Sequence, residues 1–366
     1  MLIPILLFVL GLILLIKGGD WFVDGAAGIA AKFNVPDILI GATVVSIGTT
    51  LPEVMVSANS ALSGHGEIAY GNAIGSIICN TALIAGVTIA VKPSTIDRKA
   101  LKTPVIYFFT AATFYAMIAY INKGFTRITG VLLMAIFLIY MVTTVKTAFA
   151  EIKTSGIQTG DEKNNFNNGG SVADTLTDPD KNQNTDTGDI NRKDKPDDKA
   201  DEETDTPVAK LVVLLILGAV LIAVGADLLV DNGTLIAEGL GVPESVIALT
   251  FVALGTSLPE LVTAITSLVK GHGALSLGNI CGANLFNLVL VSGVSILLAP
   301  FSIPAGKTIA IGGKDVIASL VVDIPVMLTV MLILTVPALL KGRMSRAQGI
   351  VLLIIYFTFT IFQFAG

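Results

Sequence analysis

Residues 48–53 read GTTLPE, and residues 255–260 read GTSLPE. Both hexapeptides lie inside apolar runs long enough to cross a bilayer, so Glu53 and Glu260 stand where hydrocarbon is expected. An acidic side chain at the centre of a membrane helix costs roughly 2.5–3.5 kcal/mol to insert. Each glutamate is therefore expected to have a partner at membrane depth.

The proline of each hexapeptide adds a second kind of ligand. Pro52 has no N–H to donate, and its ring crowds the preceding turn, so carbonyl oxygens around residues 46–49 lose their helical partners. Free carbonyls are tolerated at this depth only if they are buried in protein or line a wet cavity. Carboxylates, hydroxyls and carbonyls are hard oxygen ligands, and we therefore predict a cation site at the membrane centre.

The composition indicates a polytopic membrane protein whose surroundings are the lipid bilayer. Of the 366 residues, 53% are hydrophobic and only 14% are charged, whereas a soluble domain has about 25% charged residues. The net charge of −5 arises in residues 151–207, which hold 15 acidic and 7 basic residues, so the rest of the chain is slightly basic. No nucleic-acid partner is expected. Cys79 and Cys281 are interpreted as small buried apolar residues.

Apolar runs of about 20 residues predict an all-α fold of ten transmembrane helices. The predicted helices are 2–30, 37–62, 68–91, 104–121, 127–148, 210–237, 244–269, 274–299, 316–339 and 347–364. They form two five-helix halves, 1–150 and 208–366. Residues 151–207 between them have almost no large apolar side chains, so we predict a disordered acidic loop that tethers the halves.

The two halves repeat each other at a constant separation of 207 positions. Matched pairs are Asp20 and Asp227, Pro36 and Pro243, Glu53 and Glu260, His65 and His272, and Asn80 and Asn287. Because five helices per half is an odd number, the second half must enter the membrane from the opposite side. The sequence therefore predicts an inverted repeat, which is typical of secondary transporters.

The distribution of basic residues in the short loops predicts the orientation. One side carries nine lysines and arginines, and the other carries Lys123, Arg127, Lys307 and Lys314. Since the richer side faces the cytoplasm, both termini are expected outside a cell membrane and residues 151–207 inside. The two histidines of the Gly-His-Gly turns fall on opposite faces, too far apart to share a metal.

Polar residues follow one face of the second and third helices and of their copies. The steps of three, four and one residues keep each set together on a helix. The first half has Ser46, Thr49, Thr50, Glu53 and Ser57, then Asn72, Ser76 and Asn80; the second has Thr256, Ser257, Glu260 and Thr263, then Asn279 and Asn287, with Ala283 in the place of Ser76.

Residues 41–53 and 71–80, with their second-half copies, resemble the alpha-repeats of the sodium/calcium exchanger family, here at about 37–91 and 244–298. The resemblance implies Ca2+/Na+ exchange by alternating access, with no enzymatic activity and no cofactor, and we expect a monomer. It implies that Glu53 and Glu260 share Ca2+ with the carbonyls of Thr49 and Thr256. It further implies flanking Na+ sites, which would use the hydroxyls of Thr50, Ser257 and Ser76 and the backbone carbonyls of Ser46 and Ala253. Asn80 and Asn287 would line the space between these sites.

Several alternatives stay open. An H+/Ca2+ antiporter on the same fold would carry acids in the motifs of the third and eighth helices, where residues 71–75 and 278–282 have none. A potassium-dependent exchanger usually has aspartate at the position of Asn287. An intramembrane hydrolase could use Asp20 and Asp227, although no nucleophile or supporting base accompanies them. A passive channel usually needs an oligomeric ring of charge. Ala283, where many exchangers have serine, removes one oxygen from a Na+ site.

Overall fold

The computed structural model describes residues 2–33, 35–93, 95–166, 206–239 and 257–364. These residues form ten helices, at the places where apolar runs predict them. They are α1 Leu2–Lys32, α2 Asp37–Leu62, α3 Gly66–Val91, α4 Arg98–Asn122, α5 Arg127–Phe166, α6 Val208–Gly239, α7 Leu258–Val269, α8 Gly273–Leu298, α9 Ser319–Lys341 and α10 Arg346–Phe364. Nine of them are long and apolar enough to cross a membrane, so the prediction of an all-helical polytopic membrane protein is confirmed. The expected beginning of the seventh helix, 244–256, lies outside the described residues.

Two helix boundaries differ from the predictions for physical reasons. α4 begins at Arg98 rather than residue 104, because the Asp97 carboxylate accepts a hydrogen bond from Lys99 N at 2.8 Å and caps the helix. α5 continues to Phe166, into the segment predicted as disordered. Residues 167–205 of that segment lie outside the described part of the chain, so the disordered loop stays a prediction.

A short hairpin after α8 was not predicted. Strands β1 Thr308–Ile311 and β2 Lys314–Ile317 pair in antiparallel register, with Ile311 opposite Lys314. The turn needs two residues with positive φ, and Gly312 (59°) and Gly313 (78°) supply them. Strands of four residues between membrane helices give too weak a pattern to detect.

α1 and α6 pack closely against each other along a glycine seam. A Cβ atom added at Gly18 would lie 2.8 Å from Ile222 N, and one added at Gly25 would lie 2.7 Å from Leu211 O. Residues with higher numbers in α1 contact residues with lower numbers in α6, so the two helices run antiparallel. The outer surface of α1 is apolar, with Leu2 71% exposed, as a lipid-facing helix requires.

Three of the helices that carry the polar residues contain π turns. These turns span Gly41–Val45 in α2, Cys79–Ala85 in α3 and Asn287–Val291 in α8. A π turn shifts the hydrogen-bond register and is frequent at functional sites. Asn80 therefore lies within one such turn, and Asn287 begins another.

α2 and α8 cross at glycines, which brings the two halves into contact at the polar residues. A Cβ atom added at Gly282 would lie 2.6 Å from Ala42 Cα, so only glycine allows this approach. Behind the crossing, the apolar core of α3, α4, α8 and α9 is fully buried around Phe108, Tyr115 and Phe286. This core holds the polar face of α8 against α2.

Candidate functional site

Glu53 and Glu260 lie together at the centre of the bundle. Each side chain is 0% exposed. In the described part of the chain, none of their four carboxylate oxygens has a hydrogen-bond partner. The two carboxyl groups are close enough to interact electrostatically. Two neighbouring buried carboxylates without donors are unstable alone, because removing an ionised group from water costs several kcal/mol. The arrangement suits a cation held between them.

Four further predicted residues have buried polar atoms without partners among the described residues. They are the hydroxyls of Thr50 and Ser257 and the side-chain amides of Asn80 and Asn287. Leaving a buried polar group unpaired costs about 1–3 kcal/mol, so proteins rarely do so without a reason. The two glutamates and these four residues all have side-chain oxygen atoms that could bind a ligand. This agrees with a site built for ions that the protein itself does not satisfy.

Other residues of the polar stripes hold the helices together. Asn279 on α8 is the central link, because its Oδ1 lies 3.3 Å from both Ser46 Oγ and Thr49 Oγ1 on α2. Its Nδ2 donates to Thr263 Oγ1 on α7 at 3.0 Å. The sequence analysis assigned the backbone carbonyls of Ser46 and Thr49 to the ions. In the structure the hydroxyls of these two residues contact Asn279, which leaves the prediction for their carbonyls untested.

Asn72 has a similar supporting place on α3. Its amide donates to the backbone carbonyl of Glu53 at 3.2 Å and to Ser57 Oγ at 2.8 Å. Because these bonds leave the Glu53 carboxylate untouched, Asn72 fixes the backbone that carries the charge. Asn72 and Asn279, which are 207 positions apart, therefore tie neighbouring helices together in both halves.

The remaining predicted residues are only partly placed. Ser76 is 4% exposed and its counterpart Ala283 is 0% exposed, so the first half has a buried hydroxyl where the second half has a methyl group. Thr256 and Ala253 lie outside the described residues, and their predicted roles stay predictions.

Sequence reasoning missed one residue, Tyr140 on α5. The side chain is fully buried, and its hydroxyl donates to Ala42 O at 2.9 Å, inside the π turn of α2. Tyrosines of membrane helices usually lie at the interface. Tyr140 lies inside the apolar run 127–147 rather than at its start. Its position in the sequence could therefore have indicated a buried polar contact.

A narrow cleft lies between the α1/α6 pair and the motif helices. It is lined by Phe22, Gly48, Thr49, Pro52, Ala219, Ile222, Ala223 and Pro259. Both motif prolines border this space, so the cleft lies beside the turns that carry the glutamates. The cleft therefore lies next to the candidate site, between the α1/α6 pair and the helices that carry the two glutamates.

Ion pairs join α1 and α2 to the turn between α7 and α8. Lys270 Nζ lies 2.7 Å from Asp24 Oδ1 and 3.4 Å from Asp20 Oδ1, and His272 Nδ1 lies 3.0 Å from Asp37 Oδ2. Asp20 is thus engaged by a lysine at the edge of the protein, which disfavours its use as a catalytic acid. The pairs instead fasten this end of α1 to the motif helices.

Comparison with known proteins agrees with this description. The model of the family described as "Sodium/calcium exchanger protein" matches residues 3–146 and 210–365. An uncharacterised membrane protein of Methanocaldococcus jannaschii is 33% identical over 95% of this chain and 94% of its own length. The sodium/calcium exchanger MaX1 of Methanosarcina acetivorans is 30% identical over 98% of both chains.

A solved structure is similar over nearly the whole chain. It is the sodium-calcium exchanger NCX_Mj soaked with Na+ and Sr2+, with 30% sequence identity and a TM-score of 0.72. The match covers 98% of this chain and 97% of that one. The resemblance of the alpha-repeat motifs, the membrane-spanning fold and the whole-chain matches agree, and the protein belongs to the sodium/calcium exchanger family, whose members are transporters.

Proposed function

We propose that the protein is a secondary antiporter that exchanges Na+ for Ca2+ at the Glu53/Glu260 site. The observation that carries the proposal is the pair of fully buried carboxylates whose oxygens have no partner among the described residues. Two carboxylates match the charge of one Ca2+. Three Na+ ions would exceed the pair by one charge, so three-for-one exchange would be electrogenic.

Flanking Na+ sites would use oxygens around the glutamates. The free hydroxyls of Thr50 and Ser257 are available for them, together with Ser76 Oγ and the carbonyls of Ser46 and Ala253. The carbonyls of Thr49 and Thr256 would complete the Ca2+ site, and Asn80 and Asn287 would line it. Because these ligands come from one chain, we propose that a monomer is functional.

Alternating access would occur by movement of the α1/α6 pair relative to the motif helices. The cleft beside Pro52 and Pro259 supports this, because it lies between the two groups. The 207-residue offset supports an inverted repeat of 1–150 and 208–366. The loop charges support a cell membrane location with termini outside and the 151–207 segment in the cytoplasm.

Coupling to Na+ rather than H+ is favoured by the motif helices. Residues 71–75 and 278–282 contain amides and glycines and no acid, so the described site has no further carboxylate to carry a proton. The neutral amide of Asn287 favours exchange without K+. An additional cation would need a negative charge, which an amide lacks.

The decisive experiment measures 45Ca2+ uptake by proteoliposomes loaded in turn with Na+, with K+, or with a pH gradient. We expect uptake with the Na+ gradient alone, increased by an inside-positive potential if exchange is electrogenic in the proposed sense. Uptake driven by the pH gradient and independent of Na+ would overturn the Na+ assignment. Glu67→Gln, an exposed glutamate at the beginning of α3, is the matched control for changes at Glu53.

A further inference from the structure

A basic surface gathers where two turns of the chain meet at one end of the bundle. The turn between α3 and α4 and the turn between α9 and α10 are joined by a hydrogen bond from Ile96 N to Gly342 O at 2.9 Å. A backbone bridge between Thr95 and Arg343 strengthens the contact. The bases on these two turns and the adjoining helix ends are Lys92, Arg98, Lys99, Lys102, Lys341, Arg343 and Arg346. We call this set the basic surface; all seven side chains are exposed.

The charge of this surface is not neutralised by the described protein. The one acid on these turns, Asp97, uses a carboxylate oxygen to cap α4 through Lys99 N. In the described residues the ion pairs of the protein involve Lys270 and His272, and none involves a member of the basic surface. Several of the bases also lie in the first turn of α4 or α10, where the helix dipole favours acids. The seven bases therefore repel one another, with no ion pair from the described residues to offset the repulsion.

The connection between α8 and α9, which follows the second-half copy of α3, has its bases at other positions. The positions 207 residues after Lys92, Arg98, Lys99 and Lys102 are Ala299, Ala305, Gly306 and Ile309. This connection contains the hairpin of β1 and β2, and its lysines are Lys307 and Lys314. The excess of basic residues in cytoplasmic loops that sets membrane orientation explains bases near the helix ends. It does not explain why two separate turns that carry them are joined by a hydrogen bond.

An apolar cleft opens beside the basic surface. It is lined by Ala85, Thr88, Ile89 and Met344, with residues of α7 and α8 on the other side. Lys92 stands in its lining, and its Nζ lies 3.5 Å from Leu268 O. An apolar cleft with cationic groups beside it, at the ends of membrane helices, matches a molecule with an anionic head and a hydrocarbon tail.

We propose that the basic surface binds the headgroup of an anionic phospholipid, with part of the lipid in the cleft beside Lys92. In the proposed orientation this lipid belongs to the cytoplasmic leaflet. The surface lies at the ends of membrane-spanning helices, which favours a lipid headgroup over a soluble acidic peptide. The contact between the two turns would then also hold α4 and α10 at a fixed distance from α3.

Native mass spectrometry of the delipidated full-length protein in detergent tests this assignment, because membrane orientation has no influence there. The protein is titrated with phosphatidylglycerol or with phosphatidylcholine. The test variant combines Lys92→Gln, Arg343→Gln and Arg346→Gln. A base near the membrane surface is worth about 1 kcal/mol toward anionic lipid, or about fivefold in affinity, so the triple variant should bind phosphatidylglycerol about a hundredfold more weakly. Phosphatidylcholine binding should be weak in both proteins.

The matched control changes three exposed bases outside this surface, as Lys123→Asn, Arg127→Gln and Lys314→Gln. Asparagine is chosen at Lys123 because φ there is 51°. The control should bind phosphatidylglycerol like the wild type. If the triple test variant fails to fold, single Lys92→Gln and Arg343→Gln variants should each lose about fivefold.

Three results would overturn the proposal. One is phosphatidylglycerol binding by the test variant within threefold of the wild type. Another is an equal loss in the control variant, which would mean nonspecific attraction to net charge. The third is complete displacement of the lipid by inorganic phosphate, because the surface would then recognise phosphate and make no use of the cleft.

Discussion

Neutralising Glu53 should weaken Ca2+ binding and, at the same time, stabilise the ion-free protein. In Glu53→Gln, one of two fully buried carboxylates becomes an amide of nearly the same shape. A bound Ca2+ then keeps one uncompensated positive charge in a fully buried site. Removing one partner of a buried ion pair costs about 3–5 kcal/mol. Because 1.4 kcal/mol is about a factor of ten, Ca2+ affinity should fall about a hundredfold to a few thousandfold.

The stability effect has the opposite sign for the same reason. Without ions, Glu53 and Glu260 interact electrostatically and have no hydrogen-bond donors among the described residues. Replacing one of them by a neutral group removes the repulsion and a large desolvation cost. We therefore expect Glu53→Gln to raise the midpoint of thermal unfolding in Na+- and Ca2+-free buffer. A glutamate needed only for folding would lower it.

Two measurements on purified protein check this prediction. The first is Ca2+ binding by isothermal calorimetry, with uptake into Na+-loaded proteoliposomes as the functional readout. The second is thermal unfolding in detergent, with and without Ca2+. Glu67→Gln removes an exposed carboxylate and should change neither quantity. Retention of wild-type uptake by Glu53→Gln, or a loss of ion-free stability, would refute a Ca2+ site at this pair.

Further predictions concern the surroundings of the site. Lys270→Gln should break the contacts of Lys270 with Asp20 and Asp24, and it should change the maximal exchange rate more than the Ca2+ affinity. Initial uptake rates measured over a series of Ca2+ concentrations would separate the two quantities. An unchanged maximal rate would exclude a role of these ion pairs in helix movement. Tyr140→Phe should lose the hydrogen bond to Ala42 O and about 0.5–1.5 kcal/mol of stability, and unchanged thermal unfolding would contradict this. Exchange should proceed with choline in place of K+ on both sides, and activity restored only by K+ would contradict the role given to the neutral Asn287. Replacing 167–205 by a Gly/Ser linker should leave Ca2+ uptake unchanged, since the segment is too polar to bury a core, and loss of uptake at normal expression would point to regulation by this segment.

The sequence allowed the helices to be predicted because the bilayer fixes their length. Apolar runs of about 20 residues gave all ten helices, usually within a few residues of the ends. The predictions failed where this constraint is absent. The hairpin at 308–317 lies between membrane helices, and the last turns of α5 continue into polar sequence, so neither is set by hydrocarbon thickness.

The candidate site was predictable for a related reason. Polar residues inside an apolar run are conspicuous, and their helical spacing places them on one face. The π turns and the partner of Tyr140 were not predictable, because periodicity describes one helix and says nothing about which backbone oxygen faces a neighbour. The role of Asn279 as a link between α2, α7 and α8 likewise depends on the close approach of α2 and α8 at Gly282.

Coupling between the two ions follows from the electrostatics of the proposed site. A transporter that could move its empty site across the membrane would leak Ca2+ in one direction without exchange. Glu53 and Glu260 oppose such a step, because their buried oxygens have no donor in the described protein and each glutamate increases the cost of the other charge. Movement of the α1/α6 pair over an empty site would enclose two unpaired charges, whereas either Ca2+ or Na+ would neutralise them. In the proposed exchanger, the lack of partners for these oxygens among the described residues would make exchange obligatory, and a variant that supplies such a partner is expected to transport Ca2+ without a counter-ion.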